Sequence, residues 1–460
     1  MGLQTESIVA LSTPPGRSGI GVIRISGPES LDILRILTGS QSFNPSPSVL
    51  SLRNLLDPFT GETLDQALVC FFKGPNSFTG EDVVELHCHG SPVLLRAVID
   101  VVLRLDARLA DPGEFSLRAV TNGRMQLTEA EAIRDLIDAQ TDDALRQATR
   151  QLKGEISERV RSAKDDLLKI IVRLESSLEF VEEDLPTMEH DEILSSLQLV
   201  RRRLSTLAGT FGKGRLLHDG LSVAFVGRPN VGKSSLFNML LGRGRAIVTN
   251  IPGTTRDTIT EAIDLTGVPV LLIDTAGIRS STDQIESIGV DRTRREAADA
   301  DLVIAVIDGS QPFADEDRMV LSEVETKRHL IALNKSDLLA FSADRFQNKI
   351  CSTQNCVGSL AVSAKTEAGL EDLRAAILEP FAQPGSSSEG LLVTNARHHD
   401  LLLRAVHAIE SSEDLITQCA SEELVLVGLH NALRLLGEIT GETTTDEILG
   451  QIFSTFCIGK

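Results

Sequence analysis

Eight consecutive residues, Gly227-Arg228-Pro229-Asn230-Val231-Gly232-Lys233-Ser234, carry two glycines, a lysine and a hydroxyl at the spacing GxxxxGK[ST]. An apolar strand-like run, Ser222–Val226, precedes them, and an amphipathic stretch, Ser235–Leu241, follows. In that setting the backbone N–H groups from Asn230 to Ser235 turn inward around phosphate oxygens, at the positive end of a helix. Lys233 then reaches the outer phosphates and Ser234 offers its hydroxyl to Mg²⁺. Asp274-Thr275-Ala276-Gly277 closes the run Val268–Ile273, so that a carboxylate enters the Mg²⁺ shell and Gly277 senses the terminal phosphate. Asn334-Lys335-Ser336-Asp337 closes the run His329–Leu333. A carboxylate at Asp337 can accept both the N1–H and the 2-amino hydrogens of guanine, and adenine has no such donor pair. Ser363-Ala364-Lys365 closes Leu360–Val362 and suits a backbone contact to the guanine oxygen. The pattern predicts a GTP site at the carboxyl ends of several strands.

The segment Thr249-Asn250-Ile251-Pro252-Gly253-Thr254-Thr255 is rich in hydroxyls and turn residues and reads as a switch. Thr255 is its natural Mg²⁺ ligand. Ile278 stands where Ras-like proteins place a glutamine that orients the attacking water, so another group must do that work. Asn230 allows two readings: an amide whose oxygen holds a monovalent cation with the switch carbonyls, or a loop-capping asparagine.

These residues need a frame. Alternating short strands and helices over 221–380 predict a mostly parallel sheet with helices on both faces. Strand-like runs at Ile8–Ser12, Gly21–Ser26, Gln66–Phe72 and Asp82–Cys88 predict an α+β unit over 1–118. A capping box, Thr128 with Glu131, opens an apolar stripe of helical spacing from Ile133 to Leu178. Residues 192–208 and 398–437 are also helical in pattern, and Gln383–Gly390 reads as a linker. The resulting boundaries are 1–118, a helical domain in two parts (119–217 and 383–460), and an inserted P-loop domain (218–382).

Composition narrows the function classes. The net charge is −20 and no segment is net basic, which disfavours an autonomous nucleic-acid binder. Phe supplies all 16 aromatic residues, with no Trp or Tyr to stack bases. Six cysteines without a CxxC pair predict neither a disulfide framework nor a zinc site. No apolar run approaches the ~18 residues of a membrane span, and the cytoplasm is the expected location.

Several segments outside the P-loop block carry a family resemblance. They are Thr13-Pro14-Pro15-Gly16 through Ile25-Ser26-Gly27, Gly74-Pro75 through Glu85-Leu86, Pro112-Gly113-Glu114-Phe115-Ser116, and the end Phe456-Cys457-Ile458-Gly459-Lys460. With the nucleotide motifs, which resemble the translation-factor-related GTPase superfamily, they resemble the bacterial tRNA modification GTPase family MnmE, also called TrmE. The resemblance implies a homodimer joined through its N-terminal domains, each binding a formyl-tetrahydrofolate or related one-carbon folate. It implies that GTP and K⁺ bring two GTPase domains together and that hydrolysis depends on this pairing. The implied partner is the FAD-dependent protein MnmG. The implied product is an aminomethyl or carboxymethylaminomethyl group at carbon 5 of the wobble uridine of certain tRNAs, with tRNA held mainly through the complex. By motif, Asn230, Thr249, Ile251 and Thr254 would hold K⁺, and Glu286 would polarise the attacking water through a second water. Arg24, Glu85, Arg124 and Lys460 would line the folate pocket, with Arg124 standing where the family usually has Lys. Cys457 reads either as a thiol for the modification chemistry or as a small residue anchoring the tail. A ribosome assembly factor that uses GTP as a timer, and a folate-binding module with vestigial GTPase activity, are the competing readings.

Overall fold

The computed structural model describes residues 6–179, 190–243, 245–247, 259–274, 300–346, 355–381 and 390–459. The chain divides into two compact units: Met1–Arg134 with Gln151–Met188 and Leu415–Lys460, and Asp135–Arg150 with Glu189–Asp414.

The first unit holds strands β1 (Ser7–Leu11), β2 (Ile20–Ser26), β3 (Ser51–Leu56), β4 (Thr63–Phe72), β5 (Val83–His89) and β6 (Ala107–Leu109), ordered β3-β4-β5-β2-β1-β6. Alternation decides its two faces. Ile23, Ile25, Val84 and Leu86 point into a core covered by the helices Ser30–Leu37 and Pro92–Leu103. Arg24 and Glu85, paired in register, lie between these positions and so face the other way. Strands β3 and β6 were missed in sequence, because Ser51–Leu56 is mostly exposed and Ala107–Leu109 has only three residues.

The expected apolar stripe breaks into three helices, Leu127–Asp138, Asp142–Leu152 and Glu155–Glu179. Thr141 starts the second by accepting the Ala144 N–H on its hydroxyl at 3.2 Å. Ile137, Leu145 and Leu152 are exposed, so the breaks rotate them off the buried stripe. The capping box is also displaced. Glu129 caps the Gln126 N–H at 3.0 Å, whereas the Thr128 hydroxyl meets Ser157 at 2.5 Å. The region 398–437 divides into Ala396–Thr417 and Glu422–Thr440 around Cys419, whose φ is +53°. Glu422–Thr440 packs along Glu155–Glu179.

The second unit holds β7 (Leu221–Val226), β8 (Arg245–Ile247), β9 (Ile259–Leu265), β10 (Val268–Asp274), β11 (Leu302–Asp308), β12 (His329–Asn334) and β13 (Cys356–Ala361). Their order is β13-β12-β11-β7-β10-β9-β8. The strands from β13 to β10 run parallel, as expected. Strand β9 was not expected and runs antiparallel to β10. Its two-residue turn explains the pairing: Thr266 and Gly267 have φ of +51° and +88°, the twist a tight hairpin requires. β11 is buried along its whole length, and Val223, Phe225, Ile304 and Leu330 build the core beneath the helices Lys233–Arg243 and Leu370–Leu378. Cys356 is disulfide-bonded, which the cysteine spacing did not predict, while Cys70, Cys88, Cys419 and Cys457 are free.

The helix Phe211–Asp219 leads into β7 and carries a pH-dependent contact. His218 sets Nδ1 2.6 Å from Asp219 Oδ1 and Nε2 3.1 Å from Asp135 Oδ1. An imidazole between two carboxylates is best served by both protons, and the Asp135 hydrogen bond, against the opposing effect of burial, raises its pKa to about 9. The folded value lies above the unfolded one, so this stabilisation is complete below about pH 6.5 and is lost as pH rises through 9. His218→Gln should therefore lower the unfolding free energy at pH 6 by about 1 kcal/mol, after discounting for solvent screening. Urea unfolding at pH 10 should show no such difference.

Candidate guanine-nucleotide site and the C-terminal tail

The phosphate loop joins β7 to the helix Lys233–Arg243. Asn230 has φ of +62°, a left-handed conformation that asparagine tolerates better than most residues. The backbone therefore gives a reason for Asn230 independent of any cation. The Lys233 ammonium donates to the carbonyls of Gly227 and Arg228 at 2.8 and 2.9 Å. Those bonds draw the lysine back over its own loop. Ser234 and Ser235 are exposed at the start of the helix. Asp274 ends β10 with its side chain buried, in register with Phe225 of the neighbouring strand β7.

The base-side loops are tied to the phosphate loop by one buried amide. Asn334 Nδ2 donates to the Val231 carbonyl at 2.9 Å, and Asn334 Oδ1 accepts the Ala364 N–H at 3.1 Å. Gly232 makes room for this strap: its φ is +99°, and a Cβ there would stand 2.2 Å from Asn334 Nδ2. Asp337 is exposed and its Oδ1 accepts the Ser363 hydroxyl at 2.7 Å. The Ser363 hydroxyl in turn accepts the N–H groups of Lys365 and Thr366 at 3.3 and 3.1 Å. The Ser336 N–H donates to the Val362 carbonyl at 3.0 Å. Thus Asn230–Ser235, Asn334–Asp337 and Ser363–Lys365 converge at the carboxyl ends of β7, β12 and β13, where an open α/β sheet binds its ligand.

Sequence reasoning missed Asp308, the last residue of β11. Lys335, at φ +66°, donates its ammonium to Asp308 Oδ2 at 2.7 Å. Burial pushes the Asp308 carboxyl up, but hydrogen bonds from Lys335 and Ser310 outweigh it and hold the group below the usual carboxylate range. The one available signal was position: an acid closing an apolar strand at the same end as the three motifs. Residues 249–255 and 275–277 and Glu286, the expected switch, phosphate sensor and water-polarising group, lie outside the described residues.

A second cluster lies in the first unit. Arg24 donates to Glu85 Oε1 from Nε at 3.0 Å and from Nη2 at 2.8 Å. Its guanidinium stands 5.4 Å from the ring centre of Phe78 and 5.8 Å from that of Phe115. The C-terminal tail arrives here. The Gly459 carbonyl accepts the Ser12 hydroxyl at 3.2 Å and Arg24 Nη1 at 3.4 Å, and the Cys457 carbonyl accepts the Gly113 N–H at 3.4 Å. Cys457 is exposed. Lys460 lies outside the described residues, one position beyond Gly459. Arg124 donates to the Ser77 carbonyl at 3.1 Å, in the loop that joins β4 to β5. His87 sits 3.3 Å from Glu85, and His89 pairs with Asp65 at 2.7 Å. No metal-binding cluster occurs among the described residues.

The chain matches two family models: "GTP-binding protein TrmE N-terminus" over residues 7–124 and "MnmE helical domain" over residues 127–457. It is similar to the tRNA modification GTPase MnmE of Koribacter versatilis, at 43% identity with 99% of each chain covered. It is also similar to those of Natranaerobius thermophilus and Heliobacterium modesticaldum, at 40% and 41% identity, again with 99% of each chain covered. No helix among the described residues is long and apolar enough to cross a membrane. The fold is an N-terminal α+β domain and a helical domain interrupted by a Ras-like GTPase domain. With a phosphate loop, a guanine loop and end-to-end similarity of this kind, the chain is a GTP hydrolase and belongs to the tRNA modification GTPase MnmE family.

Proposed function

We propose that this GTPase is activated by K⁺ and acts with an FAD-dependent partner, MnmG, to install the aminomethyl or carboxymethylaminomethyl group at carbon 5 of the wobble uridine. Hydrolysis is coupled to pairing of two GTPase domains within a homodimer. The observation that carries this reading is similarity over 99% of both chains, which includes the tail as well as the nucleotide motifs. In this reading residues 1–118 form the folate and dimerisation domain, 218–382 the GTPase domain, and 119–217 with 383–460 the helical domain. The complex is cytoplasmic and holds tRNA mainly through the partner, consistent with a chain of net charge −20.

The nucleotide is held by the loops 230–235, 334–337 and 363–365, with residues 249–255 and 274–277 on the phosphate side. Ser234 and Thr255 would ligate Mg²⁺, a fit supported by the exposed Ser234 at a helix start and by the buried Asp274 at the end of β10, the strand beside β7. Bound Mg²⁺ offsets charge on the outer phosphates. Asn230, Thr249, Ile251 and Thr254 would hold K⁺, which supplies positive charge where an arginine finger acts in other GTPases. Gly277 senses the terminal phosphate, and Glu286 orients water. Arg24, Glu85, Arg124 and Lys460 would bind the folate, a reading supported by the Arg24–Glu85 pair and by the tail carbonyl of Gly459 resting on Arg24. Cys457 is the candidate thiol for the modification chemistry.

Two measurements test the reading. GTP turnover should be on the order of 10²-fold faster in K⁺ than in Na⁺ buffer, the size of one electrostatic stabiliser, and Asn230→Ala should remove the difference. Equal rates in both salts would discard the cation site. Nucleosides of tRNA from a strain lacking the protein should lose the wobble carbon-5 group, with restoration by the wild type but not by Asp274→Ala. Normal nucleosides would return the assembly-factor reading to first place.

A further inference from the structure

We propose that Asp317 is a positioning residue for the phosphate loop, acting through Arg228. Arg228 is the second residue of that loop, and its carbonyl is one of the two that hold the Lys233 ammonium, at 2.9 Å. Its side chain is anchored elsewhere. Nε stands 3.1 Å from Asp317 Oδ1 as an ion pair, out of hydrogen-bond alignment, and Nη2 donates to Gln311 Oε1 at 2.9 Å. Asp317 is 2% exposed, so its carboxylate has left water and depends on a cation and on hydrogen bonds for compensation. Its other oxygen accepts the Ala314 N–H at 3.0 Å, at the start of the helix Asp315–Val324.

The same segment reaches the guanine side. Asp308 holds Lys335 at 2.7 Å, the Gly309 N–H donates to the Asn334 carbonyl at 2.9 Å, and the Gln311 N–H donates to the Asp308 carbonyl at 3.3 Å. The chain from Asp308 to Asp317 is therefore a bracket. One end grips the residue before Ser336, and the other grips the arginine whose carbonyl steers Lys233. Loops from two different strands are kept at a fixed separation by a third, and the bracket closes on the buried charge of Asp317. Loss of that charge leaves the Arg228 side chain held by Gln311 alone, lets its peptide rotate and loosens the lysine. Phosphate contacts are lost first.

A plain helix-capping role for Asp317 is the alternative, and Asp317→Asn separates the two. The amide keeps the volume and an oxygen for the Ala314 N–H but removes the charge. The test uses the purified full chain with Mg²⁺, and titrates GDP and GTP against Asp317→Asn, Arg228→Gln and the double variant. Each single variant should weaken both nucleotides about tenfold, as for loss of a coupled charge pair. The double variant should be no weaker than either single one, because both remove the same contact. The Tm of the nucleotide-free Asp317→Asn protein should stay within about 3 °C of the wild type, the scale of a small stability change. Arg228→Lys should recover part of the affinity, since it restores the charge without the forked geometry. Unchanged affinities, or single effects that multiply in the double variant, would overturn the proposal. So would affinity losses that follow Tm losses, which is the signature of capping alone. Arg228 is partly exposed, so Arg228→Gln alone decides the matter if Asp317→Asn does not fold.

Discussion

Asp337→Asn will exchange the base that this enzyme prefers. The wild-type carboxylate presents only acceptors, which match the N1–H and the 2-amino group of guanine. An asparagine turns one acceptor into a donor and sets it against the 2-amino hydrogens. Xanthine carries an oxygen at that carbon and accepts the new donor. The loop itself should be undisturbed, because Asn keeps an oxygen for the Ser363 hydroxyl, now bonded to Asp337 at 2.7 Å. Sites built to hydrogen-bond a substrate group reject the mismatched analogue by about 10⁴-fold, so a loss of at least ~10³-fold in GTP affinity is expected. Xanthosine triphosphate should gain by a similar factor. Competition against a fluorescent guanine nucleotide measures both. An unchanged preference for GTP would move base recognition away from Asp337.

The second large effect needs no change of charge. Gly232→Ala introduces a methyl group 2.2 Å from Asn334 Nδ2, at a backbone φ of +99° that alanine rarely adopts. Asn334 is 2% exposed and bonded at both ends of its amide, so it cannot swing away without releasing Val231 or Ala364. The strain therefore spreads to the phosphate loop and the base loop together. Misplacing reacting groups by about 1 Å costs on the order of 10²-fold, and here two binding loops shift at once. GDP and GTP affinity should each fall by at least ~10²-fold, with the helical circular-dichroism signal retained. GDP affinity close to the wild type would mean that the Asn334 strap does not set the loop geometry.

These two substitutions differ in how far the sequence announced them. The role proposed for Asp337 is read from its motif, because donor and acceptor chemistry follows from residue types alone. The Gly232 effect was half legible. The motif requires a glycine there, but the amide that would collide with a methyl comes from Asn334, 102 positions away in the chain. The outer elements show the same division. The strands β7, β10 and β12 announced themselves as short apolar runs closed by polar motifs. Strand β9 did not, since its identity depends on the tight turn at Thr266-Gly267 and on β10 beside it. The helical stripe from Ile133 was read correctly as helix but not as three helices. Spacing by threes and fours survives a short break, and only packing shows that Ile137 and Leu145 have turned outward.

By itself the sequence determined the GTPase class and the family, because the nucleotide motifs are local devices. Their backbone conformation and donor pattern are encoded within a few consecutive residues. The tertiary structure decided what holds those devices in place: the Asn334 strap, the Asp308–Lys335 pair, the buried Asp317 beneath Arg228, and the tail carbonyl on Arg24. Each of these joins residues far apart in the chain. Burial makes such a pairing obligatory only once the sheet has brought the partners together, and no spacing rule along a single strand records it.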